Sequence, residues 1–75
     1  MESTIKDMFY LGVDLDGKNL YYNEQNRKWS LFSREGTGYL FSHIAEEHLK
    51  DNLTRDNVPP STRVIHLRST IEEVK

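Results

Sequence analysis

Apolar and polar residues alternate from Met8 to Leu15, with Phe9, Leu11, Val13 and Leu15 on one side and Met8, Tyr10, Gly12 and Asp14 on the other. That period of two predicts a half-buried strand. Asp16-Gly17 follows at once, a dipeptide that favours the positive φ angles of a two-residue hairpin turn, so a second strand is expected over Lys18–Asn23. Glu24 to Arg27 is a polar turn, and Lys28 to Ser33 alternates well enough for a third antiparallel strand. Two glycines in Arg34-Glu35-Gly36-Thr37-Gly38 interrupt the pattern and predict a loop.

The period then changes from two to that of a helix. Ser42 is placed to cap a helix reaching about Leu53, whose inward stripe would be Ile44, Ala45, His48, Leu49 and Leu53. Pro59-Pro60 cannot continue it, so a loop leads to a last strand at Arg63–Arg68. Ser69-Thr70-Ile71-Glu72 has capping-box spacing, which predicts a short terminal helix over residues 70–75. The order β-β-β-α-β defines an α+β class: a small, mostly antiparallel sheet with one helix across a face. The expected core is Phe9, Leu11, Val13, Leu20, Leu31, Ile44, Leu49 and Ile65.

Composition narrows this picture. The 75 residues, 36% hydrophobic and 29% charged, suit one domain with little spare core. The chain has no cysteine, which removes disulfides, thiolate nucleophiles and sulfur-bound zinc. The first residues carry no cationic start with an apolar stretch, and no apolar run approaches the roughly 20 residues that span a bilayer. A cytoplasmic protein without membrane contact is therefore expected.

Phe9-Tyr10-Leu11, Asp16-Gly17-Lys18, Tyr21-Tyr22, Lys28-Trp29-Ser30, Phe41-Ser42 before the helix and Val64-Ile65 in the last strand together carry a resemblance. From Phe9 to Leu67 the chain resembles short proteins of phages and mobile elements. The resemblance implies a hairpin, a third strand, a helix and a closing strand, in a setting where such proteins regulate or inhibit larger host machines, for instance proteolytic or nucleic-acid enzymes. The Gly36-Thr37-Gly38 loop and the Pro59-Pro60 connection depart from that pattern.

Candidate chemistry is sparse. His43 and His48 stand five apart, whereas helical metal pairs use three or four; His43 and Glu47 have the right offset but read as a solvated pair. His66 reads as a half-buried sheet residue. Asp14-Leu15-Asp16-Gly17 fails the register of a calcium loop, because Gly12 and Asn23 would fall where the first and last ligands belong. Gly36-Thr37-Gly38 lacks the lysine and the third glycine of phosphate-binding loops. No nucleophile has a base in evident reach, so no catalytic residue, metal or cofactor is assigned.

The remaining candidate is a surface. From Lys18 to Arg34 there are four basic residues and one acidic, interleaved with Tyr21, Tyr22, Trp29 and Phe32. Aromatics beside cations suit either a protein interface or stacked bases. The acidic balance, net charge −2 and pI near 5.9, disfavours a dedicated nucleic-acid binder. The reading is a protein-binding module with Tyr21, Tyr22, Arg27, Lys28, Trp29, Arg34 and Ile65 as contact residues. Weak nucleic-acid binding is the alternative. The Arg63–Arg68 strand or the Tyr21-Tyr22 hairpin is also expected to serve a homodimer or a target interface through an exposed edge.

Overall fold

In the computed structural model, the backbone of residues 2–73 and the side chains of residues 6–68 are described. Four strands, β1 (Glu2–Leu15), β2 (Lys18–Asn23), β3 (Lys28–Ser30) and β4 (Arg63–Glu73), form one antiparallel sheet in the order β3-β2-β1-β4. One helix, α1 (Ser42–Thr54), packs on it. This is the expected small α+β arrangement.

Local chemistry accounts for the connections. Asp16 and Gly17 sit at φ 52° and 81°, both positive, as a tight hairpin turn matched to strand twist requires. They join Leu15 to its ladder partner Lys18. At the next turn the Asn23 side chain accepts from the backbone N–H of Gln25 at 2.9 Å and of Asn26 at 3.1 Å, a local alternative to further strand. The helix ends in a Schellman motif: Asp56 N–H donates to the Leu53 carbonyl at 3.2 Å and Asn57 N–H to the Asn52 carbonyl at 2.9 Å. Asp56 takes the left-handed position, at φ 56°, that glycine usually fills.

Each face of the sheet carries its own buried cluster. On the helix side Leu11, Tyr22, Tyr39, Ala45 and Val58 form the core, with Phe9, Trp29, Ile44, Leu49, Leu53 and Val64 packed around it. On the other side Tyr10, Tyr21 and Ile65 cluster with Met8 and Leu67. Gly12 makes that second core close. A Cβ there would lie 2.3 Å from Ile65 Cδ1 and 2.7 Å from the Leu20 carbonyl oxygen, so only glycine lets Ile65 rest on β1.

The segment after β3 fills a wedge between strands. β1 and β2 pair only from Gly12↔Tyr21 to Leu15↔Lys18. Beyond that, Thr37 N–H donates to the Tyr22 carbonyl at 3.0 Å, while Tyr39 exchanges two 2.8 Å bonds with Phe9. The splayed strands thus have their backbone groups satisfied by a crossing loop instead of by each other.

Several expectations are corrected. The third strand stops at Ser30 and gives way to a 3-10 turn at Ser33–Glu35, so Leu31 lies past the last ladder pair and is 52% exposed instead of buried. Phe9, Val13, Leu20, Ile44 and Leu49 are half-buried, while Leu11 and Ile65 are buried. Ser42 is the first helical residue, Phe41 takes the N-cap position, and no side chain caps the helix. Ser69-Thr70-Ile71-Glu72 does not start a helix: β4 continues to Glu73, paired with β1 back to Glu2. A six-residue helix is too short to nucleate alone, and β-branched Thr70 and Ile71 favour the strand. Val74 and Lys75, the rest of that expected helix, lie outside the described residues.

Candidate protein-interaction surface

Strand alternation places Val13 and Leu15 on the face that carries Phe9 and Leu11, and Leu20 on the face of Tyr22, while Leu31, just past the end of β3, lies beside Leu15 and Leu20. These residues continue the helix-side face toward the hairpin end, where α1 does not cover it. Leu15, Leu20 and Leu31 line an open groove of about 320 Å³ there, with Asp16 and Lys18 at its rim. Leu15 is 57% exposed. The next residue after Leu31 is Phe32, also more than half exposed, with the Arg34 guanidinium 5.2 Å from its ring centroid. An aliphatic floor, an exposed aromatic beside arginine and a mixed-charge rim together form an exposed apolar patch. Leu40 and Phe41, at the entrance to α1, are exposed as well.

The anticipated contact residues divide. Tyr21, Tyr22 and Ile65 are buried, Tyr22 to 2% exposure, and so contribute packing while leaving almost no surface for a partner. Trp29 is half-buried, its ring centroid 4.8 Å from that of Tyr22. Arg27, Lys28 and Arg34 are exposed. Lys28 and Trp29 share a shallow hollow of about 180 Å³ with Asn23, Asn26, Ser30 and Glu35, whereas Arg34 belongs with Phe32. Leu15, Leu31 and Phe32 were not among the anticipated contacts. The one sequence sign of them is adjacency: Leu31 and Phe32 are consecutive, and a strand cannot bury both on one face.

The most connected polar cluster lies at the opposite end of this face. Glu24, in the β2–β3 turn, accepts from the Tyr39 hydroxyl, and its Oε2 lies 3.0 Å from His48 Nδ1. A carboxylate only accepts, so His48 presents its Nδ1–H there. Asn52, 2% exposed, donates to the His48 carbonyl at 2.8 Å and accepts from Asn57 at 3.1 Å. Burial pushes the Glu24 carboxyl upward, but the hydrogen bonds from Tyr39 and His48 outweigh it and hold it below its ordinary range. Burial, then the hydrogen bond to Glu24 and the charge of its carboxylate, pushes the Tyr39 phenol well above its ordinary value. The cluster ties turn, loop and helix together, and its groups are turned on one another.

Of the other histidines, His43 is exposed beside Phe41, and His66 is exposed with its ring stacked on Phe9 at 4.6 Å. His66 therefore meets solvent more than the half-buried position expected of it. Among the described residues no helix is long and apolar enough to cross a membrane. Comparison with protein families, curated proteins and solved structures finds no match to this chain.

Proposed function

We propose that this protein is a cytoplasmic, non-catalytic protein-binding module, a regulator or inhibitor of a larger protein of the kind its resemblance to short phage and mobile-element proteins implies. The observation that carries the reading is the open groove of Leu15, Leu20 and Leu31, continued by exposed Phe32 with Arg34 against its ring. Leaving such a group in water forgoes burial worth about 25 cal/mol per Å² of apolar surface, which a docked partner recovers. Phe32 and Arg34 supply the aromatic and cationic anchors on which interface energy concentrates.

The test is retention from cell extract on the immobilised full chain, before and after nuclease treatment, beside the Leu15→Asp/Leu31→Asp variant. A defined set of proteins held through nuclease treatment and lost by the variant supports the reading. Recovery of nucleic acid, with every protein released by nuclease, overturns it in favour of a nucleic-acid contact.

A further inference from the structure

The outer side of β4 differs from the rest of the sheet boundary. Phe9 uses both its N–H and its C=O on Tyr39, on the side of β1 away from β4. In the β1–β4 ladder Phe9 is therefore a non-hydrogen-bonded partner of His66, and the alternation of an antiparallel ladder turns the N–H and C=O of His66 outward. The register runs without a bulge from Gly12↔Arg63 to Glu2↔Glu73. The backbone N–H and C=O groups of Val64, Arg68, Thr70 and Glu72 thus point outward too, in a row that contains no proline.

Exposed edges are normally guarded by charges that stand over them. Here the guards are drawn away. Arg68 donates from Nε to Asp7 Oδ1 at 2.8 Å, and His66 Nε2 lies 2.9 Å from the same oxygen. Asp7 is on β1, so both side chains lean back across the sheet. The hydrogen bond from Arg68, then that from His66, holds the Asp7 carboxyl below its ordinary range.

The same two strands also form an arm. From Glu2 to Met8, β1 pairs with β4 alone, because β2 reaches only Gly12 and the Tyr39 bridge only Phe9. A two-stranded ribbon is marginal in water and gains from a third strand.

We propose that β4 pairs antiparallel with β4 of a second copy, about a twofold axis at Arg68, so that the two sheets become one. In that register the outward residues meet each other, which satisfies the hydrogen-bond alternation and keeps both faces continuous. Ile65 stands opposite Ile71 of the second copy, and each arm lies along the body of the other. Charge selects the orientation. The basic positions Arg63, His66 and Arg68 fill the first half of β4 and Glu72 and Glu73 the second, so antiparallel pairing sets Arg63 opposite Glu73 where parallel pairing would set like against like. At the axis the two Arg68 side chains are each neutralised by their own Asp7.

Sedimentation equilibrium on the full chain tests this. The expected result is a concentration-dependent mass that rises to twice the 8.8 kDa of one chain. Asp7→Asn, which releases two cations toward the axis, raises the dimer dissociation constant at least about tenfold. Thr70→Pro, which removes an outward N–H and no β1 bond, does the same while circular dichroism stays native. Amide exchange on the unmodified protein gives a reading free of folding defects: the His66 and Arg68 amides exchange more slowly as concentration rises. Leu15→Asp/Leu31→Asp leaves the mass unchanged, which separates this interface from the groove. A monomer at millimolar concentration, or a dimer whose His66 and Arg68 amides exchange at a rate independent of concentration, overturns the proposal.

Discussion

The helix-side face of the sheet has two ends built from the same kind of residue with opposite fates. At one end Leu11, Tyr22 and Tyr39 are closed over by Ala45 and its neighbours on α1, and Leu11 is 1% exposed. At the other, Leu15, Leu20 and Leu31 line a groove open to water. Alternation settles which face a side chain occupies. Cover depends on where a second element lies, and α1 serves only the end where the Glu24 cluster and the Phe9–Tyr39 bridge position it. One end is therefore closed for stability, and the other is left open to water.

The sharpest way to break this comparison is at the closed end. Leu11→Ala cuts back a side chain packed in the helix-side core, and is expected to cost about 2–5 kcal/mol. For a domain of this size that is a large part of total stability. A chemical-denaturation midpoint shifted by less than the equivalent of about 1 kcal/mol would show the two ends to be energetically alike.

Next comes Leu49→Ala. Leu49 packs against the same core but is half-buried, so the expected loss is about 2 kcal/mol, at the lower end of the range for cutting a leucine. Denaturation of both single variants and of the double measures their coupling. Strict additivity would place Leu49 outside the cluster that Leu11 anchors.

How much of this was legible in the sequence depends on the range of the interaction. Asp16-Gly17 specifies its turn locally, and Lys18–Asn23 was readable as a strand for that reason. The apolar part of the inward stripe of α1 is readable from helical spacing, whereas Asn52, 2% exposed, is a polar residue that an apolar pattern passes over. Strand order was not, because nothing between Thr54 and Arg63 says on which side of β1 the chain returns. The length of β4 is not legible because Ser69 to Glu72 satisfies a local helix rule, while the pairing that overrides it comes from Glu2 to Lys6 at the far end of the chain. The burial of Tyr21 and Tyr22 is hidden for a similar reason. Tyr21 and Tyr22 alternate onto two faces, and each face turned out to have its own core.

The polar cluster gives a pH-dependent version of the comparison. The Glu24 carboxyl is held below its ordinary value, 4.5, in the folded protein. A depressed folded pKa contributes stability that is present above the unfolded value and lost as pH falls through the folded one. The closed end should therefore weaken below about pH 4.5, with unfolding midpoints dropping as acid is added. Glu24→Gln keeps the shape, costs about 1–2 kcal/mol near neutral pH through weakened bonds to Tyr39 and His48, and flattens that acid slope. An unchanged slope in the variant would assign the acid sensitivity to other carboxylates.

The smallest effect on stability is expected at the open end, and there the comparison is most exposed to failure. Leu31 follows the last paired residue of β3 and is 52% exposed, so Leu31→Ser gives up little packing and adds a hydroxyl that water can satisfy. Its cost is expected within about 0.5 kcal/mol, the usual range for surface positions. Solubility should hold or rise, because one apolar side chain leaves an exposed patch. If the groove is a binding surface, the same substitution lowers retention of the partner at least about tenfold, since an anchor that touches little in the free protein is buried in the complex. The decisive quantity is the ratio of the two effects measured on one preparation, by denaturation and by titration with the captured protein. Loss of stability equal to that of Leu11→Ala would make Leu31 a core residue and the groove a transient opening. Unchanged stability with unchanged affinity would make the open end bare sheet with no partner of its own.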